Sequence, residues 1–143
     1  LLIKKRLIEL DEFDTGPRNV MNYGHSFGHA IETATDYQIP HGIAVTIGID
    51  MANFVSKEIG VGSEEQFARM HTFLSRNCSN FRSVNIDQAA LFTALLKDKK
   101  NTRTHLRLIL PDKTGSVFIG LYDDFEKIKS AISGYLAKYQ TGT

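Results

Sequence analysis

Asn22-Tyr23-Gly24-His25-Ser26-Phe27-Gly28-His29-Ala30-Ile31-Glu32, followed shortly by Pro40-His41-Gly42, is the most informative stretch of this 143-residue chain. Three of the five histidines fall within it. Histidine is the commonest metal ligand and exchanges a proton near neutral pH more readily than any other side chain. Wound as a helix at about 100° per residue from Arg18 to Ile31, the segment sorts itself into two faces. With His25 at zero, Glu32 falls near −20°, Arg18 near +20°, His29 near +40° and Asn22 near +60° by that rotation, on an arc of roughly 80°. Val20, Tyr23, Phe27, Ala30 and Ile31 fall opposite, between about 140° and 240°, and form the face that packs.

Gly24 and Gly28 lie one helical turn apart on a flank between these faces. Glycine in a helix costs roughly 1 kcal/mol against alanine, so two at this spacing predict a second backbone passing very close. Pro17 suits a first helical position, with Thr15 or Gly16 as the cap. Histidines four residues apart are often ordinary core or surface residues. An arginine, an asparagine, two histidines and a glutamate on one face make poor core, however, and the combination points to a functional site.

These residues resemble the signature of the 3-dehydroquinate synthases, within the wider sugar phosphate cyclases that include 2-deoxy-scyllo-inosose and valiolone synthases. The resemblance continues upstream through Lys4, Asp11-Glu12, Gly16 and Arg18. Downstream it takes in Ala44-Val45, Asp98-Lys99-Lys100, Leu106-Arg107-Leu108-Ile109-Leu110-Pro111 and Ile119-Gly120. It is confined to the C-terminal, mostly helical half of such an enzyme. Residues 1–143 are expected to form one helical metal- and substrate-binding domain, and the N-terminal nucleotide-binding domain is expected to be absent from this chain. Leu1 is not an initiator methionine, and the chain is expected to be a fragment or an excised domain.

The resemblance implies an NAD-dependent sequence of oxidation, phosphate elimination, reduction and intramolecular aldol closure on a seven-carbon sugar acid phosphate. It implies that His25 and His41 ligate a divalent metal, zinc or another such as cobalt, and that NAD is bound mainly by the absent domain. His29 would contact the substrate phosphate and assist proton movement. Lys4, Arg18 and Asn22 would hold substrate carboxylate or phosphate, arginine suiting bidentate recognition of such anions. Lys99 or Lys100 would also reach substrate. From the helical wheel alone, Glu32 is placed to orient a histidine. Asp14, Ile43 and Asn101-Thr102 depart from the family pattern without touching the two metal-ligating histidines. Another cyclase, an iron-type polyol dehydrogenase and a non-catalytic helical binding module remain alternatives, and a homodimer remains open.

Composition bounds the rest. The chain is 42% hydrophobic and 23% charged, as a soluble globular domain is, and long enough for a real core. A formal charge of +1 with scattered basic residues gives no sign of a nucleic-acid partner. No apolar run approaches a membrane span. The single Cys78 excludes an internal disulfide and a cysteine-based zinc cluster, and with no signal peptide in view a cytoplasmic protein is expected. Cys78 itself reads as a small core or surface residue.

The expected fold is mainly α, a multi-helical domain with one short two-stranded β-hairpin. Leu1 to Glu12 is compatible with a helix. Ile43 to Ile59 alternates at first like a strand, but its continuation through Met51, Ala52 and Val55 to Gly60 favours a helix. Ser63-Glu64-Glu65-Gln66 resembles a capping box opening a helix through Asn77, and Asp87 caps a helix through Lys97. His105 to Leu110 and Gly115 to Ile119 read as two strands joined around Pro111-Asp112. Asp123-Asp124 opens a last helix with Phe125, Ile128, Ile132 and Leu136 as its apolar stripe. His71 falls on an ordinary helix and His105 at a strand start, neither with an expected functional role.

Overall fold

The computed structural model describes residues 24–97 and 105–140. Among the described residues, five α-helices and one antiparallel strand pair follow in chain order: α1 His25–Ala34, α2 His41–Glu58, α3 Glu64–Cys78, α4 Gln88–Leu96, β1 Leu106–Pro111, β2 Val117–Tyr122 and α5 Phe125–Tyr139, with a 3-10 turn at Ser79–Phe81. The mainly helical expectation holds. The expected helix at Leu1 to Glu12 and the first residues of the Arg18–Ile31 helix lie outside the described residues. Within them, α1 begins at His25 behind Gly24 and continues to Ala34, one turn beyond the expected end.

Helix α2 is the axis of the domain. Ile47, Met51, Ala52, Phe54 and Val55 are buried, and so are Asp50, Asn53 and Ser56, so the helix is covered on nearly every side. That distribution explains why its sequence lacks a clean amphipathic period: a helix packed by α1, α3, α5 and β1 has little solvent face. The alternation of Ile43, Val45, Ile47 and Ile49 is part of this helix.

Helices α3, α4 and α5 start behind side chains that cap them, whereas α1 and α2 have no side-chain cap. Ser63 Oγ accepts from the Gln66 amide at 3.2 Å, Asp87 from the Ala90 amide at 2.9 Å, and Asp124 from the Lys127 amide at 3.0 Å. In the strand pair, Leu106 faces Tyr122 and Pro111 faces Val117. Leu106, Leu108 and Leu110 alternate into the core. The pair extends beyond the expected Ile119 to Tyr122, and Pro111 belongs to β1 rather than to the turn. The turn is instead organised by Asp112, whose Oδ1 accepts from the Thr114 and Ser116 amides, with Gly115 at φ +94°. Cys78 is fully buried.

Candidate metal and substrate site

The site depends on how closely α1 approaches α2. A Cβ atom on Gly24 would stand 2.6 Å from the Val45 carbonyl oxygen, and one on Gly28 would stand 3.1 Å from Ala44 O and Val45 Cα. From the other side, a Cβ on Gly48 would lie 2.7 Å from the Gly28 amide nitrogen. The expected close backbone is therefore α2, and Gly48 completes the crossing. Phe27, Ala30 and Ile31 carry the buried face of α1.

The crossing brings together the chemistry of both helices. The His25 and His41 rings stand 5.6 Å apart between centroids, tilted by 57°. Two imidazoles each bound through one nitrogen at about 2.1 Å to one tetrahedral or trigonal ion place their centroids roughly 5–6 Å apart. The pair thus fits two ligands of a single divalent ion. His25 Nδ1 is also buried with no hydrogen-bond partner among the described residues, an arrangement that costs about 1–3 kcal/mol if nothing engages it. No group of three or more histidine, cysteine, aspartate or glutamate side chains among the described residues could hold a metal, so these two would need a further ligand.

Glu32 lies beside the pair. Its carboxylate is 3.0 Å from His41 Nδ1 and 3.3 Å from His29 Nδ1. The carboxylate is nearly enclosed, whereas the His29 and His41 side chains are 73% and 61% exposed and free to meet a ligand. Four of the residues singled out from the sequence, His25, His29, Glu32 and His41, are therefore neighbours. Lys4, Arg18, Asn22, Lys99 and Lys100 lie outside the described residues.

The chain that carries these residues has known relatives. The family model described as 3-dehydroquinate synthase C-terminal matches residues 1–101. The chain belongs to the 3-dehydroquinate synthase C-terminal family. It is 38% identical over 117 residues to the 3-dehydroquinate synthase of Campylobacter curvus, covering 81% of this chain and 34% of that protein. With the 3-dehydroquinate synthase of Thermodesulfovibrio yellowstonii it shares 32% identity over 133 residues, 92% of this chain and 37% of the relative. The chain thus spans about a third of the length of the curated relatives it matches. Among solved structures, a 2-deoxy-scyllo-inosose synthase in complex with carbaglucose-6-phosphate, NAD+ and Co2+ superposes with a TM-score of 0.67 at 23% identity. That match covers 85% of this chain and 36% of the other, and it shows a shared fold.

A second polar cluster in this family member went unread in the sequence. Asp50, fully buried in the middle of α2, accepts from His71 Nδ1 at 2.8 Å, from Arg82 Nη2 at 3.1 Å and from the Tyr135 hydroxyl at 2.7 Å. Arg82 also donates to the Tyr135 oxygen at 2.7 Å and to Ser75 Oγ at 3.1 Å. His71 packs against the Phe67 and Tyr139 rings. Burial pushes the Tyr135 hydroxyl well above its ordinary range, the Asp50 charge adds to the rise, and Arg82 opposes it. His71 does lie on a helix, as expected, and there its bond to Asp50 helps tie α3 to α2. An aspartate between Ile49 and Met51 was the available signal, because a carboxylate at a core position demands partners.

Proposed function

We propose that this chain is the metal- and substrate-binding half of an NAD-dependent sugar phosphate cyclase, most specifically a 3-dehydroquinate synthase working in the cytoplasm. The observation that carries the reading is the His25–His41 ring separation of 5.6 Å, with the exposed His29 imidazole attached to the same Glu32 carboxylate. In this reading His25 and His41 hold the divalent ion, zinc or cobalt, together with a ligand from outside the described residues. His29, Arg18, Asn22, Lys4 and one of Lys99 and Lys100 hold the phosphate and carboxylate of the substrate. When bound, the ion supplies polarisation of the oxygen that becomes a ketone, and the nicotinamide supplies acceptance and return of hydride.

The chain's own residues supply placement and charge. Oxidation next to a C–H bond acidifies it, and loss of that proton allows phosphate to depart from the adjacent carbon. Cationic and hydrogen-bonding groups around the departing phosphate neutralise its charge and fix its direction. In this reading the exposed imidazole of His29 passes a proton to or from that group. An iron-type polyol dehydrogenase would use two histidines on neighbouring helices but would have no phosphate to expel.

The test is a phosphate-release assay on the full-length protein containing this chain, supplied with NAD, a divalent metal and a seven-carbon sugar acid phosphate. Stoichiometric phosphate without net NADH is the expected result. NADH accumulation without phosphate would make the protein a dehydrogenase.

A further inference from the structure

Glu32 sends its two carboxylate oxygens to two different imidazoles, Oε1 to His29 Nδ1 and Oε2 to His41 Nδ1. His29 lies one turn back on the same helix, but His41 is reached only across the turn between α1 and α2. The same glutamate also anchors that turn: its backbone oxygen accepts from the Tyr37 amide at 2.8 Å. Asp36 and Tyr37 take φ values of +52° and +63°, a conformation that residues with side chains adopt at a cost and keep only where neighbouring bonds hold it. Main chain and side chain of one residue therefore fix where the first residue of α2 stands.

A carboxylate offers acceptors only, so each contacting Nδ1 must carry the proton. In a neutral imidazole the lone pair is then left on Nε2. The Glu32 side chain is 7% exposed, and this enclosure strengthens both hydrogen bonds and raises the cost of leaving either unmade. His25 Nδ1, with no partner among the described residues, has no such constraint from Glu32.

We propose that Glu32 is a positioning residue that locks His29 and His41 together in the Nδ1–H form, so that one carboxylate sets the Nε2 lone pair of both rings. The assignment of His41 to a metal and His29 to a phosphate rests on the reading above; the tautomer lock does not. Glutamine in place of Glu32 has nearly the same shape but one acceptor arm and one donor arm. It can serve both rings only if one of them changes tautomer.

Long-range proton–nitrogen correlation spectra of the metal-free protein, at about pH 8 and above the ordinary imidazole range, report the tautomer of each ring. Both His29 and His41 are expected as Nδ1–H in the unaltered protein. In Glu32→Gln at least one ring leaves that form, and affinity for Co2+ falls about tenfold or more with helix content by circular dichroism unchanged. Adding His29→Ala to Glu32→Gln frees the amide oxygen for His41 alone; it restores the His41 Nδ1–H form and recovers Co2+ affinity, which a general structural defect would not do. Either ring found as Nε2–H in the unaltered protein would overturn the proposal, as would a Glu32→Gln variant with both rings and Co2+ affinity unchanged. Should that variant not fold, the unaltered spectrum alone decides. Correct tautomers in a protein that never binds Co2+ would leave the lock standing and remove the metal reading.

Discussion

Gly48 lies against Gly28 so closely that a Cβ atom on Gly48 would come within 2.7 Å of the Gly28 amide nitrogen. The obstacle is backbone on both sides, so no flexible side chain can move aside. Gly48→Ala should therefore push α1 from α2, costing on the order of 1–3 kcal/mol as overpacking does, and should separate His25 from His41. Gly42→Ala is the control, since a Cβ there meets nothing within 4 Å. Chemical denaturation with Co2+ titration on both variants checks this. Equal stability of the two would contradict the steric account.

The proposal that His25 and His41 hold one ion predicts a second outcome. His25→Ala and His41→Ala should each remove saturable Co2+ binding, while His29→Ala should leave most of it, because His29 is assigned to the phosphate rather than the ion. In the full-length protein the first two variants should lose activity, and Arg18→Ala should chiefly weaken binding of the anionic substrate. Calorimetric metal titration beside steady-state kinetics separates these cases. Unchanged kinetics in Arg18→Ala would take that residue out of the site.

How much of this could be read from the chain depends on the range of the interaction. The polar face of α1 was legible because helical rotation turns spacing into angle, which put Glu32 beside His25 and His29. Gly24 and Gly28 announced a crossing, though not its partner. The Asp50 cluster was not legible, because His71, Arg82 and Tyr135 reach it from 21, 32 and 85 residues away. Only packing brings them together. The end of β2 was hidden for a local reason: Gly120 looks like a strand breaker, yet a Cβ there would strike the Tyr122 ring. Its lack of a side chain makes room for that tyrosine and lets the strand continue.

Asp50 should matter more to stability than to chemistry. Asp50→Ala would leave the Arg82 guanidinium and the Tyr135 hydroxyl facing a buried site with their acceptor gone. Breaking a buried charge pair from one side costs about 3–5 kcal/mol. Asp50→Asn retains an acceptor and should cost less. Urea midpoints for the two variants check the order, and an Asp50→Ala protein as stable as the unaltered one would reduce the cluster to incidental packing.

Tyr122 makes the fold sensitive to alkali. Burial pushes its hydroxyl from the ordinary 10.0 up to about 12. A phenol whose folded pKa lies above its unfolded value binds its proton more tightly in the folded state. Its contribution is full below about pH 10, declines as the unfolded chain ionises, and is lost by about pH 12. A shift of that size corresponds to about 2–3 kcal/mol. Tyr135, also held above its ordinary range by burial and by the Asp50 charge, adds to the loss in the same direction. Tyr122→Phe should therefore flatten the fall in denaturation midpoint between about pH 10 and 12 while leaving the remainder that Tyr135 causes. Equally steep profiles for the two proteins would show that the Tyr122 hydroxyl is not protected by the fold.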